Sequence, residues 1–208
     1  MLDLPTMSTR REREREEMRQ RIKDAARELF VSQGYEHVTI RAIADAIEYT
    51  PGAIYSYFKD KDAIFSALHT EGFDELQRKF ATVFEEPGTP IDYLRRIGRA
   101  YLDFAKNNPQ MYDLMFVCPE PVDHVENSQP WLEGSRTYDH LRALVRVAID
   151  GGWLRKGDPE VVAFALWSAC HGMATLDFRS RTSVVPESAR PTVLTNSFEY
   201  LIDSLALR

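Results

Sequence analysis

Cysteine is almost missing: of 208 residues only Cys118 and Cys170 carry a thiol, 52 positions apart. No CxxC pair or ladder of cysteines is present, which excludes a disulfide-stapled small domain and a cysteine-built zinc site and fits a reducing cytoplasm. The first residues are charged rather than apolar, so no signal peptide is expected. Long uncharged runs are also scarce. The one candidate is VVAFALWSACHGMATL, residues 161–176, shorter than the roughly 20 residues that a bilayer core needs. It contains Ser168, His171 and Gly172 and reads as a helix buried by protein, with no membrane partner. Runs of alternating β-branched residues are missing too, which argues against a sheet. Nor is there a surplus of positive charge. The net charge is −6 and the pI about 5.4, which taken alone argues against a bulk nucleic-acid binder.

What the chain does contain is helical periodicity. At 44% hydrophobic and 28% charged it has the composition of an ordinary globular protein. Residues 1–17 read as a disordered or frayed arm with the run RERERE. Residues 10–27 hold eight basic side chains against five acidic ones, a local surplus inside an acidic chain. A solvated helical tail and an arm reaching toward phosphates, Arg10 to Arg21, both fit that pattern. A helix is expected from near Arg19, with Ile22, Ala25, Ala26, Leu29 and Phe30 on one face and Gly34 at its end. Thr39 can cap the next helix, which carries Ile40, Ile43, Ala44 and Ile47. Thr50 and Pro51 open a third, expected to run to Phe58 and so about 12 Å long. Asp60 opens a fourth helix, which runs toward the turn EEPGTP. Later apolar-periodic segments follow at 90–106, 109–117, 131–150, 159–177 and 191–207. The expected fold class is all-α, with about nine helices.

The stretch TIRAIADAIEYTPGAIYSYFKDKDAI, residues 39–64, is the most informative. Two short helices joined by a three-residue turn, behind a longer one, form a helix-turn-helix arrangement. On the third helix Ile54 and Phe58 make an apolar edge that can lock onto Ile43 and Leu29. Its other side shows Thr50, Gly52, Ala53, Tyr55, Ser56 and Tyr57. Small residues there let a helix sink into a major groove roughly 12 Å wide. Hydroxyls donate to phosphate oxygens, and Lys61, Thr39 and Arg41 sit at helix N-termini, where anions are favoured.

This stretch closely resembles the DNA-binding signature of the TetR family of transcriptional regulators. Thr39, Ile43, Ala44, Thr50, Gly52, Tyr55, Phe58 and Lys61 stand in register with that pattern. The resemblance implies that Thr39, Thr50, Gly52, Tyr55, Tyr57 and Lys61 meet DNA. Pro51 and Ser56 depart from common usage and bear on base preference rather than on fold. Trp167, His171 and Gly172 resemble a Trp-x-x-x-His-Gly type of C-terminal domain in the same family, and NNPQMYDLMF resembles its central region.

The expected organisation is therefore an arm (1–17), a helix-turn-helix domain (18–66) and a helical regulatory and dimerisation domain (67–208). Implied partners are a palindromic double-stranded operator, a small-molecule effector and a second copy of the chain. The copies would join through helices 159–177 and 191–207, whose apolar faces are too wide for one chain to cover. Phe104, Met111, Tyr112, Phe116, Trp131, Trp167 and His171 are candidates for an effector pocket, with plain core as the competing reading. One histidine without a second ligand at spacing makes a poor metal site, so no metal or cofactor is expected. The function implied is a cytoplasmic repressor released by a small apolar or amphipathic ligand. A ligand-independent or protein-controlled DNA-binding regulator is the alternative. A small hydrolase using Ser168, His171 and Asp177 is a distant one, since Asp177 falls off the face of the other two and no nucleophile elbow is present.

Overall fold

Arg and Glu favour helix even where no apolar face guides them, and the first helix starts on them. In the computed structural model, which describes residues 10–118 and 132–207, α1 runs over Arg10–Gln33. Residues 10–17, expected as a disordered or frayed arm, are thus helical. Arg10 Nε and Glu14 Oε1 pair at 2.7 Å one turn apart. Residues 1–9 of the expected arm lie outside the described residues. Gly34, at φ +82°, ends α1, and its N–H donates to the Phe30 carbonyl at 2.9 Å. A 3-10 turn, Tyr35–His37, leads to α2 (Ile40–Ala46), α3 (Pro51–Tyr55) and α4 (Lys61–Thr82). Then come α5 (Pro90–Asn107), α6 (Pro109–Phe116), α7 (Leu132–Asp150), α8 (Pro159–Phe178) and α9 (Val193–Leu205). The described residues are all-helical, as expected, with nine α-helices and one isolated bridge between Leu154 and Ala206.

The described residues fall into two compact units, 10–70 with 113–118, and 71–112 with 132–207. The boundary differs from the expected 66/67 division: it falls inside α4 and returns the end of α6 to the first unit. In that unit Ile22, Ala26 and Phe30 of α1 meet Ile43 and Ala44 of α2, Ile54 of α3, and Ile64 and Leu68 of α4. Phe58 and Leu114 complete this core. Each such apolar side chain contributes about 1.5–3 kcal/mol on burial. The rings of Phe30, Tyr35 and Phe65 lie with centroids 5.0–5.8 Å apart. The amine of Lys61 donates to the Tyr35 carbonyl at 2.8 Å, and the Tyr35 hydroxyl donates to Asp62, so the 3-10 turn is tied to the start of α4.

In the second unit α5 is the central helix and packs on α7, α8 and α9. Thr89 and Asp92 form a reciprocal capping box at its start. Gly98 lets α9 approach closely: a Cβ at this position would sit 1.9 Å from Cε1 of the buried Phe198 ring. Arg95 pairs with Glu199 and Asp203, and Arg99 with Glu199 at 2.6 Å, beside that contact. The chain end is stitched to the segment after α7 by Arg155 N–H to Leu205 O at 2.9 Å and Leu207 N–H to Trp153 O at 3.0 Å.

Helix α8 corrects one expectation. Its extent, Pro159–Phe178, agrees with the expected 159–177 to within one residue, but at 20 residues it is long and apolar enough, by length and composition alone, to cross a bilayer, where the uncharged run 161–176 taken alone is too short. It is also less covered than expected. Ala163, Leu166, Cys170 and Ala174 are buried, while Val161 and Phe164 are 65% and 56% exposed and Leu176 is exposed as well.

Candidate functional site

The helix-turn-helix is set by its caps. Thr39 Oγ1 accepts from Ala42 N–H at 3.1 Å and starts α2. Thr50 Oγ1 accepts from Ala53 N–H at 3.4 Å, and Pro51 at the first helical position starts α3. Between them Glu48 takes φ 60°, a left-handed conformation that turns the chain within a few residues. Ile54 and Phe58 are buried against α1 and α2, so the opposite side of α3 is presented outward. Gly52, Tyr55 and Ser56, at i, i+3 and i+4, are exposed there, with Tyr55 at 56%. Thr39, Arg41 and Thr50 are exposed too, while Ala53, Tyr57 and Lys61 are half-buried. Lys61 is engaged by the scaffold: besides its bond to the Tyr35 carbonyl, its amine lies 4.0 Å from the centre of the Tyr35 ring. Arg41 stands 4.0 Å from Asp45, both well exposed, a pair that contributes little.

Gly52 is the telling position. Its φ is not positive, and a Cβ there would meet nothing nearer than Thr50 Oγ1 at 3.9 Å. Nothing within the fold requires a glycine that disfavours helix by about 1 kcal/mol relative to alanine. The bare backbone leaves room for something from outside.

Helix α3 is shorter than expected. It ends at Tyr55, with Ser56 as its C-cap, rather than at Phe58. Past that end the N–H groups of Ser56 and Tyr57 bond three residues back, to Ala53 O at 3.2 Å and Ile54 O at 2.9 Å, and arginines of α1 take the carbonyls that follow. Arg19 Nη1 donates to Tyr57 O at 2.7 Å and Arg15 Nη2 to Ser56 O at 3.4 Å. Arg21 Nη2 donates to Ile47 O, at the end of α2, at 3.3 Å. Sequence reading placed these arginines in a solvated tail or an arm. Their charge pattern carries no mark of bonds 26 to 41 positions away.

In the second unit a polar cluster forms around His171. The hydroxyls of Tyr101 and Tyr112 both lie 3.1 Å from its Nδ1. The Tyr112 hydroxyl is also 3.0 Å from Thr175 Oγ1 and 3.2 Å from the His171 carbonyl. Trp167 stacks obliquely one turn away, ring centres 5.9 Å apart. Burial pushes both phenols above, and the imidazole below, their ordinary values. The group is therefore neutral near pH 7, and His171 Nδ1 is suited to accept from a tyrosine. Of the candidate pocket residues, Met111, Tyr112, Trp167, His171 and the fully buried Phe104 belong to this unit. Phe116 belongs to the first unit, and Trp131 lies outside the described residues. Tyr101 and Thr175 were missed as partners because they join His171 only through packing. Among the described residues no group of three His, Cys, Asp or Glu could hold a metal. Ser168 is exposed, and Asp177 Oδ1 accepts from Thr182 at 3.0 Å, so Asp177 is occupied away from His171.

Two family models match: bacterial regulatory proteins of the tetR family over residues 22–68, and the tetracyclin repressor-like C-terminal domain over residues 94–205, more than half of the chain. The transcriptional regulator AcrR of Shigella flexneri is 38% identical over 94 residues, a match that spans 44% of this chain and 43% of AcrR. The chain thus aligns with less than half of that relative. The transcriptional repressor AcnR of Corynebacterium glutamicum is 29% identical over 146 residues, 68% of this chain and 71% of AcnR. The fatty acid degradation regulator FadR from Bacillus halodurans shares the fold, with a TM-score of 0.71 at 17% identity over 88% of this chain and 93% of that one. With its helix-turn-helix, its helical C-terminal domain and both matches in chain order, the chain belongs to the TetR family of transcriptional regulators.

Proposed function

We propose that this chain is a cytoplasmic repressor that binds a palindromic operator as a homodimer and leaves it when a small apolar or amphipathic ligand binds residues 67–208. Regulators of this family bind operator DNA and act as dimers with small-molecule effectors. The observation that carries the DNA reading is the outward side of α3, where Gly52, Tyr55 and Ser56 stand clear of the fold with no structural need for the glycine. Thr39, Arg41, Thr50, Ala53, Tyr57 and Lys61 flank that side and would supply phosphate and base contacts.

Dimerisation is supported by the uncovered stripe of α8, Val161, Phe164, Ala165, Ser168, Gly172 and Leu176, and by Tyr200 on α9, 77% exposed. One head specifies few base pairs, each discriminated by about 1–3 kcal/mol, and a second head doubles the contacts. A carboxylate in the stripe would be buried unpaired in such an interface. Phe164→Glu is therefore expected to move the protein from dimer to monomer mass at micromolar concentration in sedimentation. A dimer unaffected by that change places the interface elsewhere.

The ligand would act by linkage. A compound that binds one state better shifts the DNA equilibrium toward it, by the same factor that DNA shifts the compound's affinity. The cluster around His171, with Phe104 and Met111, is the site proposed for it. Compounds that raise the thermal midpoint of the free protein are expected to weaken its grip on the duplex upstream of its gene. The fully buried Phe104 and Tyr112 favour a second reading, a regulator without a ligand. A screen in which no compound that stabilises the protein changes DNA affinity decides for that reading.

A further inference from the structure

A helix of five residues cannot hold itself in water, yet α3 must present its side chains at one angle. Its last turn contains no basic residue, and the carbonyls at a helix end need partners from elsewhere. Just past the last residue of α3, Tyr55, α1 supplies them at the carbonyls of Ser56 and Tyr57. Arg19 donates to Tyr57 O while its guanidinium carbon lies 4.3 Å from the centre of the Phe58 ring. Arg15 reaches the Ser56 carbonyl and lies 5.6 Å from the Tyr57 ring. Arg21 repeats the arrangement on α2, donating to Ile47 O and lying 5.6 Å from the Tyr49 ring. A cation at a helix C-terminus also meets the negative end of the dipole. Arginine, unlike lysine, offers an in-plane donor and a flat face for an aromatic ring at once.

We propose that Arg19 is a positioning residue for DNA reading, fixing the C-terminal end and tilt of α3 from behind, with Arg21 doing the same for α2. This rests on the reading of α3 as the DNA-reading helix. It makes the basic stretch of α1 part of the scaffold, where sequence reading left open an arm that grips phosphate. The two roles differ in salt dependence. A phosphate contact contributes close to one unit to the slope of log affinity against log salt, whereas a scaffold bond contributes none.

The test uses full-length protein with Arg19→Ala and Arg19→Lys. Operator affinity is measured over a range of salt, and amide exchange over residues 53–58. Arg19→Ala is expected to weaken binding by about tenfold or more, to leave the salt slope unchanged and to speed exchange at Tyr57 and Phe58, whose N–H groups bond the Ile54 carbonyl. Arg19→Lys, which keeps the charge, is expected to behave like Arg19→Ala. It also serves alone if Arg19→Ala fails to fold. A slope reduced by about one for each arginine removed, with exchange unchanged, makes Arg19 a phosphate ligand and overturns the proposal. So does full rescue by lysine, or unchanged affinity. If the wild-type protein binds no duplex, the DNA reading itself fails. The exchange measurement then decides the positioning alone, and unchanged protection of residues 53–58 in Arg19→Ala overturns it.

Discussion

Gly98→Ala lowers the stability of the protein by about 3 kcal/mol, within the upper range for overpacking a tight core. For a chain of this size that is a fall in thermal midpoint of roughly 6–12 °C. The reason is local. The new methyl would stand 1.9, 2.5 and 2.4 Å from Cε1, Cδ1 and Cζ of Phe198. The ring is 3% exposed, so its displacement disturbs the packing of α9 on α5. The neighbouring ion pairs of Arg95 and Arg99 with Glu199 lie on the same two helices and shift with it. Phe198→Leu on its own leaves a void. Combined with Gly98→Ala it recovers part of the loss, because the two changes share one space and do not add. Thermal melts of the two single variants and the double variant check this. Additive losses contradict the account of Gly98 as the close approach between α5 and α9.

Tyr55→Ala leaves the stability of the free protein within about 0.5 kcal/mol, as expected for an exposed side chain. It weakens operator binding by about 1–3 kcal/mol for each half-site, roughly 30-fold or more for a symmetric dimer. Tyr55 is 56% exposed on the outward side of α3. Gly52→Ala separates folding from reading more sharply. Its Cβ has open space, so the free protein gains about 0.4–1 kcal/mol from a stiffer unfolded chain, while the added methyl holds α3 away from the groove and weakens binding. Melting curves and duplex titrations on the same samples distinguish the two effects. A Gly52→Ala protein that melts higher and binds equally well contradicts a close approach at this position.

Much of this was legible because local chemistry decides it. Thr39, Thr50 and Pro51 mark helix starts whose bonds are made within three residues. The i, i+4 and i+8 spacing of Ile22, Ala26 and Phe30 marks the buried face of α1. The start of α1 at Arg10 was not legible, because its charges alternate without an apolar stripe and only intrinsic propensity and pairs such as Arg10–Glu14 hold it. The end of α3 lies three residues before the expected Phe58, since the N–H groups of Ser56 and Tyr57 turn to carbonyls three residues back, a tightening that composition does not mark. Glu48 at φ 60° carries no compositional mark, for a glycine or asparagine would be the usual signal. Of the proposed effector residues, Trp167 and His171 share a face by spacing alone. Tyr101 joins His171 from seventy positions away, and Phe116, on the same short helix as Tyr112, belongs to the other unit.

The account turns on α3 as a reader of DNA sequence. The most direct measurement is the affinity of the purified wild-type protein and of Tyr55→Ala for the duplex upstream of its own gene and for a scrambled duplex, at two salt concentrations. The account predicts wild-type binding that falls with salt, prefers the upstream duplex and is lost in Tyr55→Ala. Equal affinity for both duplexes that Tyr55→Ala leaves unchanged, or binding to neither duplex nor to any sequence selected from a random pool, contradicts it.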